Sequence, residues 1–142
     1  MKYAAYLILI TILLAIFLGG CGKDAIVGSW TDSSRDGPVV YEFHDNHTGM
    51  ITVDQEKMVQ ALQRFSNDPL ELIRKKAERF VEDSRSTIVT WKKTGAFYCV
   101  TLTKSGDTLG SAHYYKIEHD HLLALNQDGT PNADAVNFTR AK

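Results

Sequence analysis

From residue 26 onward the chain is a succession of short runs in which apolar and polar residues alternate, separated by clusters of Gly, Asn, Asp and Ser. Side chains in a strand point to opposite faces with period two, so this alternation selects half-buried β-strands. VVYEFH (39–44) sets Val39, Tyr41 and Phe43 against Val40, Glu42 and His44. The turn residues DNHTG (45–49) separate it from MITV (50–53), so the two runs form a predicted hairpin. IVGSWT (26–31) is a first strand before them. STIVTW (86–91) and AFYCVTL (96–102) flank Lys92-Lys93-Thr94-Gly95 as a second hairpin. LGSAHYYKIE (109–118), HLLAL (121–125) and AVNFTR (135–140) complete a set of about eight strands, with Leu109, Ser111, His113, Tyr115 and Ile117 on one face of the sixth.

One stretch breaks the period. In DQEKMVQALQRF, Met58, Leu62 and Phe65 recur at helical spacing. Ser66-Asn67-Asp68-Pro69 ends that pattern. A second helix follows with Leu70, Ile73, Ala77, Phe80 and Val81 on one side, Asp68 as its expected N-cap and Glu71 at the capping-box position. Residues 55–84 therefore read as a two-helix insertion after strand 3. The fold class expected is mainly β, a β-rich α+β domain. Its sequential antiparallel meander of about eight strands closes into an up-and-down barrel or remains a curled sheet, with the helices over one opening or one side. Closure removes the exposed strand edges of an open meander.

The chain opens MKYAAYLILITILLAIFLGGCG, a single positive charge followed by an apolar run from Tyr3 to Leu18 broken only by Thr11. That is the layout of a secretory signal, shorter than the ~20 apolar residues of a relaxed bilayer span. Leu18-Gly19-Gly20-Cys21 resembles the lipobox of bacterial lipoproteins. The resemblance implies cleavage between Gly20 and Cys21, a diacylglyceryl group on the Cys21 thiol, and a palmitate-type acyl chain on the new amine. A thiol suits the lipid transfer because it is the strongest nucleophile among small side chains. The resulting organisation is a signal peptide at 1–20, a lipidated cysteine and tether at 21–25, and a β domain at 26–142. The expected location is the bacterial cell envelope, held by lipid, with Gly22 after the cysteine resembling outer-membrane sorting toward the periplasm in Gram-negative cells.

Loss of residues 1–20 removes Lys2 from 16 basic residues and none of the 17 acidic ones, so the remaining net charge is near −2. That balance argues against nucleic acid as a partner. About 120 residues make one domain. With Cys21 in a thioether, Cys99 is the one other cysteine, and no disulfide within the chain is expected. Cys99 lies in an alternating strand and reads as a small buried hydrophobe.

Gly28-Ser29-Trp30 on the first strand, with Phe138-Thr139-Arg140 ending the last, resembles the G-x-W signature of lipocalins and other calycin-like barrels. The resemblance implies that Trp30 closes the barrel base and that Arg140 packs over its ring, both as structural residues. The chain departs from the family by placing helices between strands three and four instead of before the last strand, and it lacks the family's middle motifs.

Chemistry-bearing patterns are sparse. His44-Asp45-Asn46-His47 and His119-Asp120-His121 have ligand-like spacings, but each falls in a turn and neither supplies the three or four ligands a tight metal site needs. No metal or cofactor is expected. Nucleophile elbows, P-loops and zincin helices are absent from the sequence, so no enzyme activity is expected. Glu42 lies opposite Tyr41 and Phe43, on the face that alternation assigns to solvent. The functional expectation is a lipid-anchored, non-enzymatic binding module for a small apolar ligand or an envelope component, with Trp91, Phe97, Tyr98, Tyr114 and Tyr115 as aromatic contact surface. The alternative is a protein-interaction lipoprotein, an inhibitor or assembly factor acting through its surface, for which the helical insertion is the distinguishing feature.

Overall fold

The structure is a computed structural model that describes residues 23–34 and 37–142. The leader, lipobox and Gly20–Cys21 cleavage position expected from sequence lie outside the described residues. Eight antiparallel strands follow one another around a closed barrel: β1 (Gly28–Asp32), β2 (Val39–Phe43), β3 (Thr48–Val53), β4 (Thr87–Thr94), β5 (Phe97–Lys104), β6 (Ser111–Glu118), β7 (His121–Leu125) and β8 (Phe138–Arg140). The ring closes where β8 pairs with β1, Trp30 opposite Arg140 and Asp32 opposite Phe138. Two helices, α1 (Gln55–Phe65) and α2 (Leu70–Arg85), join β3 to β4. The architecture is that of a lipocalin-like barrel with a helical insertion. Among the described residues no helix is long and apolar enough to cross a membrane.

Alternation determines which residues fill the barrel. Trp30, Tyr41, Phe43, Val89, Trp91, Tyr98, Val100, Tyr115, Leu122, Ala124 and Phe138 are all buried and form one core, while their strand neighbours face out. Hairpin turns supply the register. Thr94 pairs with Phe97 across Gly95-Ala96, a two-residue turn in which Gly95 has φ +62°. The turn is shorter than the Lys92–Gly95 stretch expected from sequence, because only the glycine takes the left-handed conformation a tight hairpin demands. At the β6–β7 turn His119 and Asp120 have φ 47° and 62°, the pattern of a type I′ turn built without glycine.

The barrel wall is uneven. β4 and β5 pair over their full length, whereas β3 and β4 share only Thr48–Thr90 and Gly49–Val89 before diverging. The helical hairpin occupies the gap. Met58 and Val59 of α1 pack against Ile73 and Ala77 of α2, with Val39 and Val53 of the barrel beneath them. Burying each of the larger three contributes roughly 1.5–3 kcal/mol. The Asp54 carboxylate caps α1 by accepting from the Lys57 N–H at 3.0 Å.

The start of α2 differs from its sequence reading. Pro69, not Asp68, occupies the N-cap position, with ψ 142°, and Leu72 and Ile73 donate to its carbonyl. The Asp68 carboxylate is thereby one residue too far back to cap and instead pairs with Lys76 Nζ at 2.5 Å. Lys76, and then the Ser66 hydroxyl, hold this carboxyl below the ordinary carboxylate range. The helix faces are also narrower than the periodicity predicts. Phe65 is 90 % exposed, and Leu70 and Phe80 are roughly half exposed. Finally, β8 begins at Phe138 and not at 135. Asn137 is diverted: its side-chain oxygen accepts from Ala124 N–H, and its carbonyl accepts from Ser33 N–H.

Candidate functional site

An antiparallel barrel has two ends, and here they differ in kind. The base gathers the start of β1, the end of β8 and the β2–β3, β4–β5 and β6–β7 turns. The mouth gathers the helical insertion, the β1–β2 connection and the β5–β6 and β7–β8 loops.

The base is plugged. Trp30 is fully buried, and its indole N–H donates to the Ile26 carbonyl at 2.7 Å. The Arg140 guanidinium lies 4.2 Å from the Trp30 ring centroid, a cation–π contact. The same guanidinium donates to the carbonyls of Ala25 (2.6 Å) and Val27 (3.2 Å), and its Nε reaches Asp120 at 3.1 Å. Gly28 makes this possible. Its φ is +127°, and a Cβ there would stand 3.1 Å from the Arg140 Nη1 atom. Beside this plug, the Trp91 indole donates to the His44 carbonyl at 2.9 Å and the His47 imidazole stacks on it at 4.4 Å.

The middle of the barrel is filled as well. Tyr41 on β2 and Tyr115 on β6 come from opposite walls, four strands apart in a ring of eight, and each phenol influences the other's ionisation across the interior. Phe138 packs edge-on against both, at 4.7 Å from Tyr41 and 6.3 Å from Tyr115. Burial raises the pKa of each phenol, so both are neutral across the ordinary pH range. Trp91, Tyr98 and Tyr115 therefore belong to the core and not to the contact surface assigned to them from sequence. Tyr114 is half-buried and Phe97 lies at the margin of exposure.

At the mouth, where β6 starts and β7 ends, a cleft of about 390 Å³ is lined by His113, Tyr114, Tyr115, Ala124, Asn126 and Asn132, among others. Desolvation lowers the pKa of the His113 imidazole, which stands at the rim with one side open to water. Asn126 donates to the Thr130 hydroxyl, and the Asn132 side chain accepts from Asp134 N–H, so these amides also fold the loop that walls the cleft. A second recess, of about 320 Å³, lies where β3 leaves β4, between Ile51, Thr52 and Val53 and the end of α2 at Val81 and Arg85. Neither cleft was legible in the sequence: the first lies where β6 extends past the end of β7, and the second where β3 splays from β4.

The two histidine groupings do not meet. They lie on the β2–β3 and β6–β7 turns, on opposite sides of the base. His44 contacts Glu42 and Thr48, both at 3.3 Å, and His47 contacts the Trp91 carbonyl at 3.2 Å. Among the described residues no three His, Cys, Asp or Glu side chains are grouped to hold a metal ion. Glu42 is on the outer face, partly exposed. Cys99 is a free, buried thiol, also on the outer face of β5, where Gly129 of the β7–β8 loop lies against the neighbouring Phe97 ring.

Fold and site together define a closed eight-stranded barrel with a plugged base, a filled interior and one open end. Compared with models of protein families, with curated proteins and with solved structures, the chain gives no match.

Proposed function

We propose that this chain is a lipoprotein of the bacterial cell envelope, anchored through acylated Cys21, and that its domain is a non-enzymatic binding module working from the mouth and rim of the barrel. The observation that carries this reading is the packing of Phe138 between Tyr41 and Tyr115. A carrier of apolar ligands needs a chamber between its walls. Here Phe138 packs against both Tyr41 and Tyr115 and fills the space between the walls. The surface that remains for recognition is the mouth cleft together with the helical insertion, whose Phe65 and Phe80 are exposed. An envelope protein fits that surface better than a small apolar molecule in the interior.

The mouth cleft supports a second reading, a small ligand held at the rim. Its volume suits one small molecule, and its amide, phenol and imidazole lining suits a neutral polar one better than a hydrocarbon.

Native mass spectrometry of residues 22–142, isolated from a bacterial periplasm, separates the two. An apo mass, with one stoichiometric protein captured by crosslinking of the full lipidated chain, supports the interaction reading. A co-purifying mass in the small-metabolite range refutes it in favour of the ligand. A mature chain carrying no lipid mass refutes the anchor.

A further inference from the structure

The base of the barrel is where the described chain begins. Asp24, which bonds Lys93 at 3.7 Å, lies only three residues after Cys21. Three extended residues span at most about 11 Å. The chain cannot swing away from the base over that distance, because Arg140 holds the carbonyls of Ala25 and Val27 while stacking on Trp30. A lipid on Cys21 would therefore be delivered at the base and nowhere else on the domain.

Exposed lysines stand at the same end. The base exposes Lys23, Lys92, Lys93 and Lys142; of its acids Asp24, Glu118 and Asp120 are paired with Lys93, Lys116 and Arg140, while Asp45 in the β2–β3 turn is exposed with no salt bridge among the described residues. Lys23, Lys92 and Lys142 have no carboxylate partner among the described residues. The mouth is mixed in charge: its helical hairpin carries Lys and Arg as well as Asp and Glu, and loop 126–137, with Asp128 and Asp134, folds back so that Gly129 lies against Phe97. Each Lys near an anionic bilayer contributes about 1 kcal/mol of attraction, and an Asp there opposes it.

We propose that the plugged base is a membrane-seating surface: the barrel stands on anionic lipid headgroups with Lys23, Lys92, Lys93 and Lys142 toward them and presents its mouth and helical hairpin away from the bilayer. This rests on the lipid anchor at Cys21. The eight-residue β4–β5 hairpin is about 26 Å long at ~3.3 Å per residue, and a barrel tilt near 40° leaves a rise of roughly 20 Å. That exceeds the ~8 Å Debye length at physiological salt, so the mouth is electrostatically detached from the membrane that the base touches.

The test uses the full chain, produced in a bacterium with its lipid and reconstituted in vesicles containing anionic lipid. Single cysteines are introduced by Thr94→Cys in the base turn and Leu109→Cys in the mouth loop, and each is labelled with a fluorophore. Buried Cys99 stays in place, and a stoichiometry of one label per chain verifies its protection. Quenching by headgroup nitroxides is expected to be at least about threefold stronger at 94 than at 109, given the ~20 Å rise. Combining Lys92→Glu with Lys142→Glu is expected to cut the quenching at 94 by about half on anionic vesicles, where each Lys attracts the headgroups. Equal quenching at both positions, or stronger quenching at 109, in a chain whose mass shows the lipid overturns the seating. A purified chain without lipid mass overturns the anchor beneath it as well.

Discussion

The interaction of the Tyr41 and Tyr115 phenols across the barrel can be tested by removing one hydroxyl at a time. Tyr115→Phe leaves the Tyr41 phenol without its polar neighbour, and Tyr41→Phe does the same to Tyr115. Both residues are less than a tenth exposed, so water cannot substitute freely. A buried polar group left unpaired costs about 1–3 kcal/mol, whereas removing both members of such a pair is close to neutral. Each single substitution is therefore expected to lower the unfolding free energy by roughly 1–2 kcal/mol, and the double substitution by less than about 1, a coupling of at least about 1 kcal/mol. Urea unfolding of residues 22–142, followed by the fluorescence of Trp30 and Trp91, reads all four proteins. An unchanged slope with a shifted midpoint isolates stability from changes in the unfolded chain. Additivity of the two single costs, within about 0.3 kcal/mol, would refute the reasoning: the hydroxyls would then be independent of each other.

Arg140→Ala removes a cation–π contact and two carbonyl bonds at once and is expected to cost about 2–4 kcal/mol, with Arg140→Lys recovering less than half because an ammonium cannot both stack and fork; thermal unfolding measures both. The raised phenol pKa values of Tyr41 and Tyr115 also predict the alkaline limit. Their contribution is fully present below the unfolded phenol pKa near 10 and is lost as pH climbs toward the higher folded values, so stability falls above about pH 10, and the double Phe variant flattens that fall in a pH series of urea midpoints. At the β6–β7 turn, His119→Ile forces a β-branched residue to φ 47° and is expected to cost about 1–2 kcal/mol by the same unfolding assay, although His119 is exposed.

The boundaries of recognition by sequence follow from where the physics is local. Alternation put Tyr41 and Phe43 on one face opposite Glu42, and helical spacing placed α1 and α2 between the third and fourth strands, because each pattern depends only on a chain's own repeat. The Trp30–Arg140 contact was expected only through a family resemblance, since residues more than a hundred positions apart leave no local signal. Turn details escaped: Gly95-Ala96 instead of a four-residue turn, and Pro69 instead of Asp68 at the head of α2, depend on one dihedral each.

Sequence alone thus carried the order of elements, the alternating faces of the strands and the Leu18-Gly19-Gly20-Cys21 motif. Only the tertiary structure decided that the sheet closes, that side chains from β2, β6 and β8 pack together inside it, and that recesses open where β3 splays from β4 and where β6 extends past the end of β7. Those are properties of register and of strands four apart around a ring. No stretch of the chain encodes them separately, because they arise when every strand has found its neighbour.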